Sequence, residues 1–111
     1  MARVALLSPD LLFGSKVQGG LRAAGHEVTV FAAPASALEA GADLVVVDLA
    51  SGDYDDATLQ SLGAGATTLG FYSHVEQDTR KRAEEAGFDM VVPRSRMARE
   101  MAALVDRLVA A

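Results

Sequence analysis

Leu44-Val45-Val46-Val47-Asp48 is a run of four apolar residues ending in one carboxylate. The run is rich in β-branched residues and lacks polar alternation, the pattern of a strand covered on both faces of a parallel sheet. An unpaired charge is costly inside such a sheet, so Asp48 marks the strand's carboxyl end, where the chain surfaces. In open α/β sheets, ligands bind beyond that edge. A functional site is expected there.

Working outward, Arg3 to Ser8 reads as a first strand, stopped by Ser8-Pro9-Asp10. Ser8 and Asp10 are both good N-cap residues, and Pro9 suits a turn or a first helical position. A helix is expected from about Leu11 to Ala24, with Phe13, Val17, Leu21 and Ala24 facing the sheet and Leu12, Lys16 and Gly20 on another face. Gly19-Gly20 weakens it, and Gly25 suits its C′ position. Glu27 to Ala32 is the second strand. Pro34 ends it, and Ser36 to Ala40 can supply a short helix closed by Gly41. After Asp48, residues 51–57 read as an acidic loop and Asp56 to Leu62 as a short helix. Gly63-Ala64-Gly65-Ala66 reads as a break. Thr67 to Ser73 is the fourth strand, in which Gly70 suggests a close backbone approach. Glu76 to Ala86 reads as a helix ended by Gly87, Asp89 to Pro93 as the fifth strand, and Ala98 to about Val109 as the last helix.

Strand and helix alternate five times within 111 residues. That pattern makes a parallel sheet with helices on both faces, and five units fit the flavodoxin-like doubly wound order 2-1-3-4-5. Strands one and three are then neighbours. Ser8-Pro9-Asp10 and Asp48 fall side by side, with Ser73 and Arg94 on the flanking strand ends. The length suits a single domain, residues 1–111.

Composition narrows the class. The chain has no cysteine, hence no disulfide or thiolate site, and no apolar run of the roughly eighteen residues that span a bilayer. The apolar start is cut short by Pro9 and Asp10, unlike a signal peptide. A cytoplasmic protein without membrane contact is expected. The net charge of −5 argues against nucleic acid as a direct partner. Its distribution says more. No Lys or Arg occurs between Arg22 and Arg80, and basic residues then cluster from Arg80 to Arg107. Either these faces are simply solvated, or the last third carries a basic partner surface.

The edge positions Asp10, Asp48, Ser73 and Arg94, together with the stretch from Ala86-Gly87 through Pro93-Arg94, resemble the receiver domains of two-component response regulators over nearly the whole chain. The resemblance implies that Asp48 stands where that family accepts a phosphoryl group. It puts Ser73 at the family's hydroxyl position and Arg94 at its lysine. The family's acidic pair after strand one helps bind Mg²⁺; here Ser8-Pro9 replaces it, and Asp10 follows slightly further on. Proline precedes Arg94 instead of following it, and Leu49-Ala50-Ser51 lacks the usual Met-Pro. The chain is therefore identified as an atypical, or pseudo-, receiver.

Each edge residue has two readings. Asp48 is a phosphoacceptor nucleophile, or caps the turn after its strand. Asp10 joins Asp48 in a weak Mg²⁺ site, or caps the first helix. Ser73 donates to a phosphoryl oxygen, or is an ordinary strand-end hydroxyl. Arg94 offers a positive charge to phosphate, or pairs permanently with Asp48 and locks the site. His74 is a pH-sensitive or metal-binding group, or a plain loop residue; His26, in the turn before strand two, reads as structural. Gly14-Ser15-Lys16 lacks the upstream glycine of a phosphate loop.

The leading functional reading is a signalling module, not an enzyme, with a degenerate phosphorylation site. Receivers commonly use the face formed by helix four, strand five and helix five. That face holds Arg80, Lys81, Arg82, Arg96 and Arg99, with Met90, Met97 and Met101 near it. The expected partner is a second copy or an acidic protein. The alternatives are a working phosphoacceptor served by a histidine kinase, whose most enzyme-like act would be self-phosphorylation of Asp48, and a small-ligand or nucleotide binder in the crevice.

Overall fold

A computed structural model describes residues 2–51, 53–73 and 76–110. The elements are β1 (Arg3–Leu7), α1 (Leu11–Ala23), β2 (Glu27–Phe31), α2 (Pro34–Glu39), β3 (Leu44–Asp48), α3 (Asp56–Gly65), β4 (Thr68–Tyr72), α4 (Gln77–Glu85), β5 (Met90–Pro93) and α5 (Arg94–Val109). The five strands form one sheet in the order β2-β1-β3-β4-β5, every pair parallel. This is the doubly wound order expected from the alternation of elements.

The two-residue period of the strands divides the core in two. Val4, Leu6, Val28, Val46, Leu69 and Phe71 point to one side, where Val17 and Leu21 of α1 and Met97, Met101, Leu104 and Val105 of α5 cover them. Ala5, Leu7, Val45, Val47 and Tyr72 point to the other, beneath Ala37 of α2, Leu59 and Leu62 of α3 and Ala83 of α4. β3 is buried along its whole length, Asp48 included, as an unbroken apolar run requires. At the sheet edge, the Arg22 guanidinium donates to the Val28 carbonyl of β2 at 2.9 Å and so covers an outward-facing backbone acceptor.

Three boundaries differ from the sequence reading. α2 starts at Pro34, which takes an early helical position where a missing N–H costs nothing. α3 runs on through Gly63-Ala64-Gly65 instead of breaking there. A Cβ on Gly63 would collide with the Ala86 carbonyl oxygen, so this glycine permits the close approach of α3 to the end of α4. α5 begins at Arg94, four residues before the expected Ala98, directly after Pro93 in extended conformation. Gly20 lies against α5, where a Cβ would strike the Met101 thioether. Gly70 does mark a close approach: a Cβ there would lie 2.7 Å from Leu49 Cδ1.

Candidate functional site

The site lies at the carboxyl edge, where β1, β3 and β5 deliver their ends to one place. Asp48 ends β3 and is only 1% exposed. Its Oδ1 accepts the Ala50 and Ser51 amides, both at 3.0 Å. Its Oδ2 accepts the Ser8 hydroxyl at 2.9 Å and also the Ser51 hydroxyl. Four donors thus surround a buried carboxylate, the condition under which burying one is tolerable. Ser8, itself buried, is supplied by the end of β1; its longer contact, 3.3 Å, is with the Asp10 carbonyl.

Asp10 caps α1. Its Oδ1 accepts the Leu12 and Phe13 amides at 3.0 and 3.1 Å. Its Oδ2 accepts Arg94 Nη2 at 2.7 Å. The Phe13 amide does most to hold the Asp10 carboxyl below its ordinary value; partial desolvation opposes this, and Arg94 and the Leu12 amide add to the lowering. The Arg94 guanidinium also lies 4.3 Å over the Phe13 ring, and Phe13 meets Phe71 of β4 at 5.1 Å in a tilted pair. Arg94 is therefore held by a carboxylate and an aromatic face together.

On the other flank, Tyr54 is half-buried, and burial with the nearby Asp48 charge pushes its phenol up to about 12. It lines a cleft of about 310 Å³ with Ser51, Asp53, Glu76, Thr79 and Arg82.

The structure corrects the expected lock. Arg94 pairs with Asp10, not with Asp48, because α5 starts at Arg94 and sets its side chain beside the cap of α1. Asp10 and Asp48, the pair expected to meet Mg²⁺, are both engaged by protein donors: all four carboxylate oxygens accept them, and among the described residues no three Asp, Glu or His side chains cluster to hold a metal. Ser73 lies just past β4, half-buried, and its carbonyl accepts the Glu76 amide at 2.8 Å. Among the described residues, no hydrogen bond joins Ser73 to Asp48 or Arg94. His74 falls outside the described residues.

The basic face is also redrawn. Met97 and Met101 are in the core, 0% and 7% exposed, and cannot form a contact surface. Their spacing is that of α5's buried stripe. Arg82 turns toward α3, donating to Asp56 and to the Tyr54 carbonyl, both at 2.7 Å. Arg80 is exposed and pairs with Glu84, while Arg96 and Arg99 both approach Glu100. Sequence reasoning set Ser8 beside Asp48 without its bond to the carboxylate, and did not give Ser51 and Phe13 their places at the site. The spacing of Asp48 and Ser51 was a usable signal, since Asp accepts backbone amides two and three residues on. At the same edge Leu11 and Leu12, which open α1, are 81% and 88% exposed.

Comparison with known proteins agrees with this geometry at the level of fold. No protein-family model matches the sequence, and no curated protein matches it significantly. Solved structures do match: the chain has the fold of the receiver domains of response regulators. It is similar to the receiver domain of the trimethylamine N-oxide respiratory response regulator TorR, with a TM-score of 0.85 and 18% identity over 99% of this chain and 98% of that one. A putative response regulator from Chloroflexus aurantiacus gives a TM-score of 0.83 and 18% identity over 99% and 98%. The receiver domain of a sensor histidine kinase from Pseudomonas aeruginosa, solved with magnesium in its active-site cleft, gives 0.81 and 15% over the same shares. The chain spans 27% of the length of another match, NtrX from Brucella abortus. No helix among the described residues is long and apolar enough to cross a membrane.

Proposed function

We propose that this chain is a receiver-fold signalling module whose phosphoacceptor site is closed by its own side chains and which acts through protein contacts. One observation carries the reading: Asp48 is buried and accepts four protein donors. A nucleophilic carboxylate needs a free oxygen in line with the phosphoryl donor. Here the Ser8 and Ser51 hydroxyls stand on Oδ2. Arg94, the cation that would answer a phosphate, is held by Asp10 and Phe13. A likeness to redox sensors of streptococci described as evolved from two-component response regulators, at a TM-score of 0.80 and 11% identity, supports the idea that the fold serves other ends.

The contact surface in this reading is the α4–β5–α5 face, reduced to Arg80, Arg96 and Arg99, and its partner is an acidic protein surface or a second copy. The test is intact-mass analysis after incubation with Mg²⁺ and a small phosphodonor such as acetyl phosphate. The expected result is no phosphoryl adduct. An adduct that Asp48→Asn abolishes would reinstate the phosphoacceptor.

A further inference from the structure

His26 lies at the opposite, amino-terminal pole of the sheet and takes no part in the site described above. It is 7% exposed. Its backbone is fixed by the C-terminal cap of α1. Gly25 takes φ +94°, the Gly25 amide donates to the Arg22 carbonyl, and the His26 amide donates to the Leu21 carbonyl. These are the two bonds of a Schellman cap, and they aim the imidazole across the bottom of the sheet. There Nδ1 lies 3.1 Å from the Ala2 amide, and Nε2 lies 2.9 Å from Asp106 Oδ1 on α5.

The tautomer follows from the partners. An amide N–H can only donate, so Nδ1 must be the unprotonated nitrogen. Nε2 then carries the hydrogen and donates to Asp106. The neutral ring thus joins the lead-in to β1 with α5. A second proton could enter only at Nδ1, where it would face the Ala2 N–H donor to donor. The imidazolium keeps Asp106 as an ion-pair partner but loses Ala2. Other charged groups surround the ring: Arg22 on α1, Glu27 on β2 and Arg3 on β1 line one adjoining cleft of about 400 Å³ with His26, and Asp43 before β3 lines a second with His26 and Asp106. Both clefts are open to solvent and give protons a route to the ring.

We propose that His26 is a proton-sensitive latch that, when neutral, ties the start of β1 to the lower half of α5, and that proton uptake releases the β1 side. The residues bonded beside Ala2 register the release: the Glu27 amide donates to the Ala2 carbonyl at 2.9 Å, and the Asp43 amide donates to the Arg3 carbonyl at 2.8 Å. α5 departs from helical geometry at Glu100 (φ −125°, ψ 15°), between the segment carrying Arg94, Arg96 and Arg99 and the segment carrying Asp106. The latch therefore holds the lower segment of the helix whose upper segment faces the site. This inference stands whether or not Asp48 accepts phosphate.

The experiment is an NMR titration of the full ¹⁵N-labelled chain from pH 8 to pH 5. It reads the His26 ring nitrogens and the exchange protection of the Glu27 and Asp43 amides, corrected for intrinsic rates. Expected are an Nε2–H tautomer at pH 8 and a roughly tenfold loss of protection as the ring takes up its proton. His26→Gln should remove this pH dependence. Asp106→Asn, which keeps an acceptor but removes the charge, should move the loss to lower pH. An Nδ1–H tautomer at pH 8, protection unchanged through the ring titration, or the same loss in either variant would overturn the proposal. The tautomer and titration are read on the unaltered chain, so they decide the matter even if a variant fails to fold.

Discussion

Arg94 donates to Asp10 at 2.7 Å across 84 residues, joining the first turn of α5 to the cap of α1. The same guanidinium lies over Phe13, so one side chain closes the carboxyl edge with a charge and a ring. Its side chain is 42% exposed, and solvent screens part of the ion pair. Arg94→Ala should therefore lose about 1 kcal/mol, mainly through the cation–π contact. Arg94→Lys should recover part of it, and added salt should narrow the difference. Urea unfolding at two ionic strengths checks this; a neutral Arg94→Ala would mean that the edge is not held this way.

Asp48 should be worth more than Arg94. Asp48→Ala strands two hydroxyls and two amides next to the core, and buried donors left without partners cost about 1–3 kcal/mol each when solvent cannot reach them. Ser51 is exposed and can turn to water, so the expected total is about 3 kcal/mol. Asp48→Asn keeps one acceptor oxygen for the amides and should lose about 1 kcal/mol. Denaturant midpoints for the two variants separate these outcomes.

The acid limb of the stability curve should carry the mark of Asp10. Its carboxyl is held below its ordinary value of 3.8, so the unfolded chain binds the proton more readily than the folded one. The stabilisation is complete above that unfolded value and disappears as pH falls through the lower folded value. Asp10→Asn keeps an N-cap side chain but removes the charge. Its stability should vary less with pH than that of the parent below about pH 4, as thermal melts at pH 2 to 5 would reveal.

Two glycines in helices should respond in opposite ways to alanine. Nothing lies within 4 Å of a Cβ on Gly19, so Gly19→Ala should stabilise by about 0.5–1 kcal/mol. At Gly63 the methyl meets backbone at Ala86, and the net effect should be a loss of about 1–3 kcal/mol. Calorimetry on both variants tests the α3–α4 packing directly.

Where sequence reading succeeded and failed follows from the range of the interactions. The strands were legible because β3 is apolar up to Asp48 and because glycine and proline punctuate the units. Asp10 was legible as a cap because its donors, Leu12 and Phe13, are its near neighbours. Gly63 was misread as a break because Ala86, the reason for it, lies 23 positions away. One of the two readings of Arg94 paired it with the wrong carboxylate, because strand order brings both Asp10 and Asp48 to the edge. The choice between them depends on where α5 begins. Met97 was put near the contact face because the early start of α5, which brings Met97 inside the helix, could not be read from Pro93-Arg94 alone; Met101 stands at helical spacing from Leu104, Val105 and Leu108 and was legible as part of the apolar stripe.

If the contact face is Arg80, Arg96 and Arg99, reversing its charge should change association and little else. Arg96→Glu with Arg99→Glu should keep the melting temperature within a few degrees, since both pairs with Glu100 are partly exposed. Sedimentation velocity at high concentration should show loss of any self-association. Retention of a dimer would move the interface elsewhere.

The most direct test of the closed site is a titration of the ¹⁵N-labelled chain with Mg²⁺ and beryllofluoride, a mimic of aspartyl phosphate, followed by backbone amide shifts, with Asp48→Asn as control. A closed site predicts no saturable shift at Ala50, Ser51, Ser73 or Arg94 at millimolar Mg²⁺. Saturable shifts at those amides that vanish in the control would show that Ser8 and Ser51 yield Asp48 to a ligand, and would contradict the account.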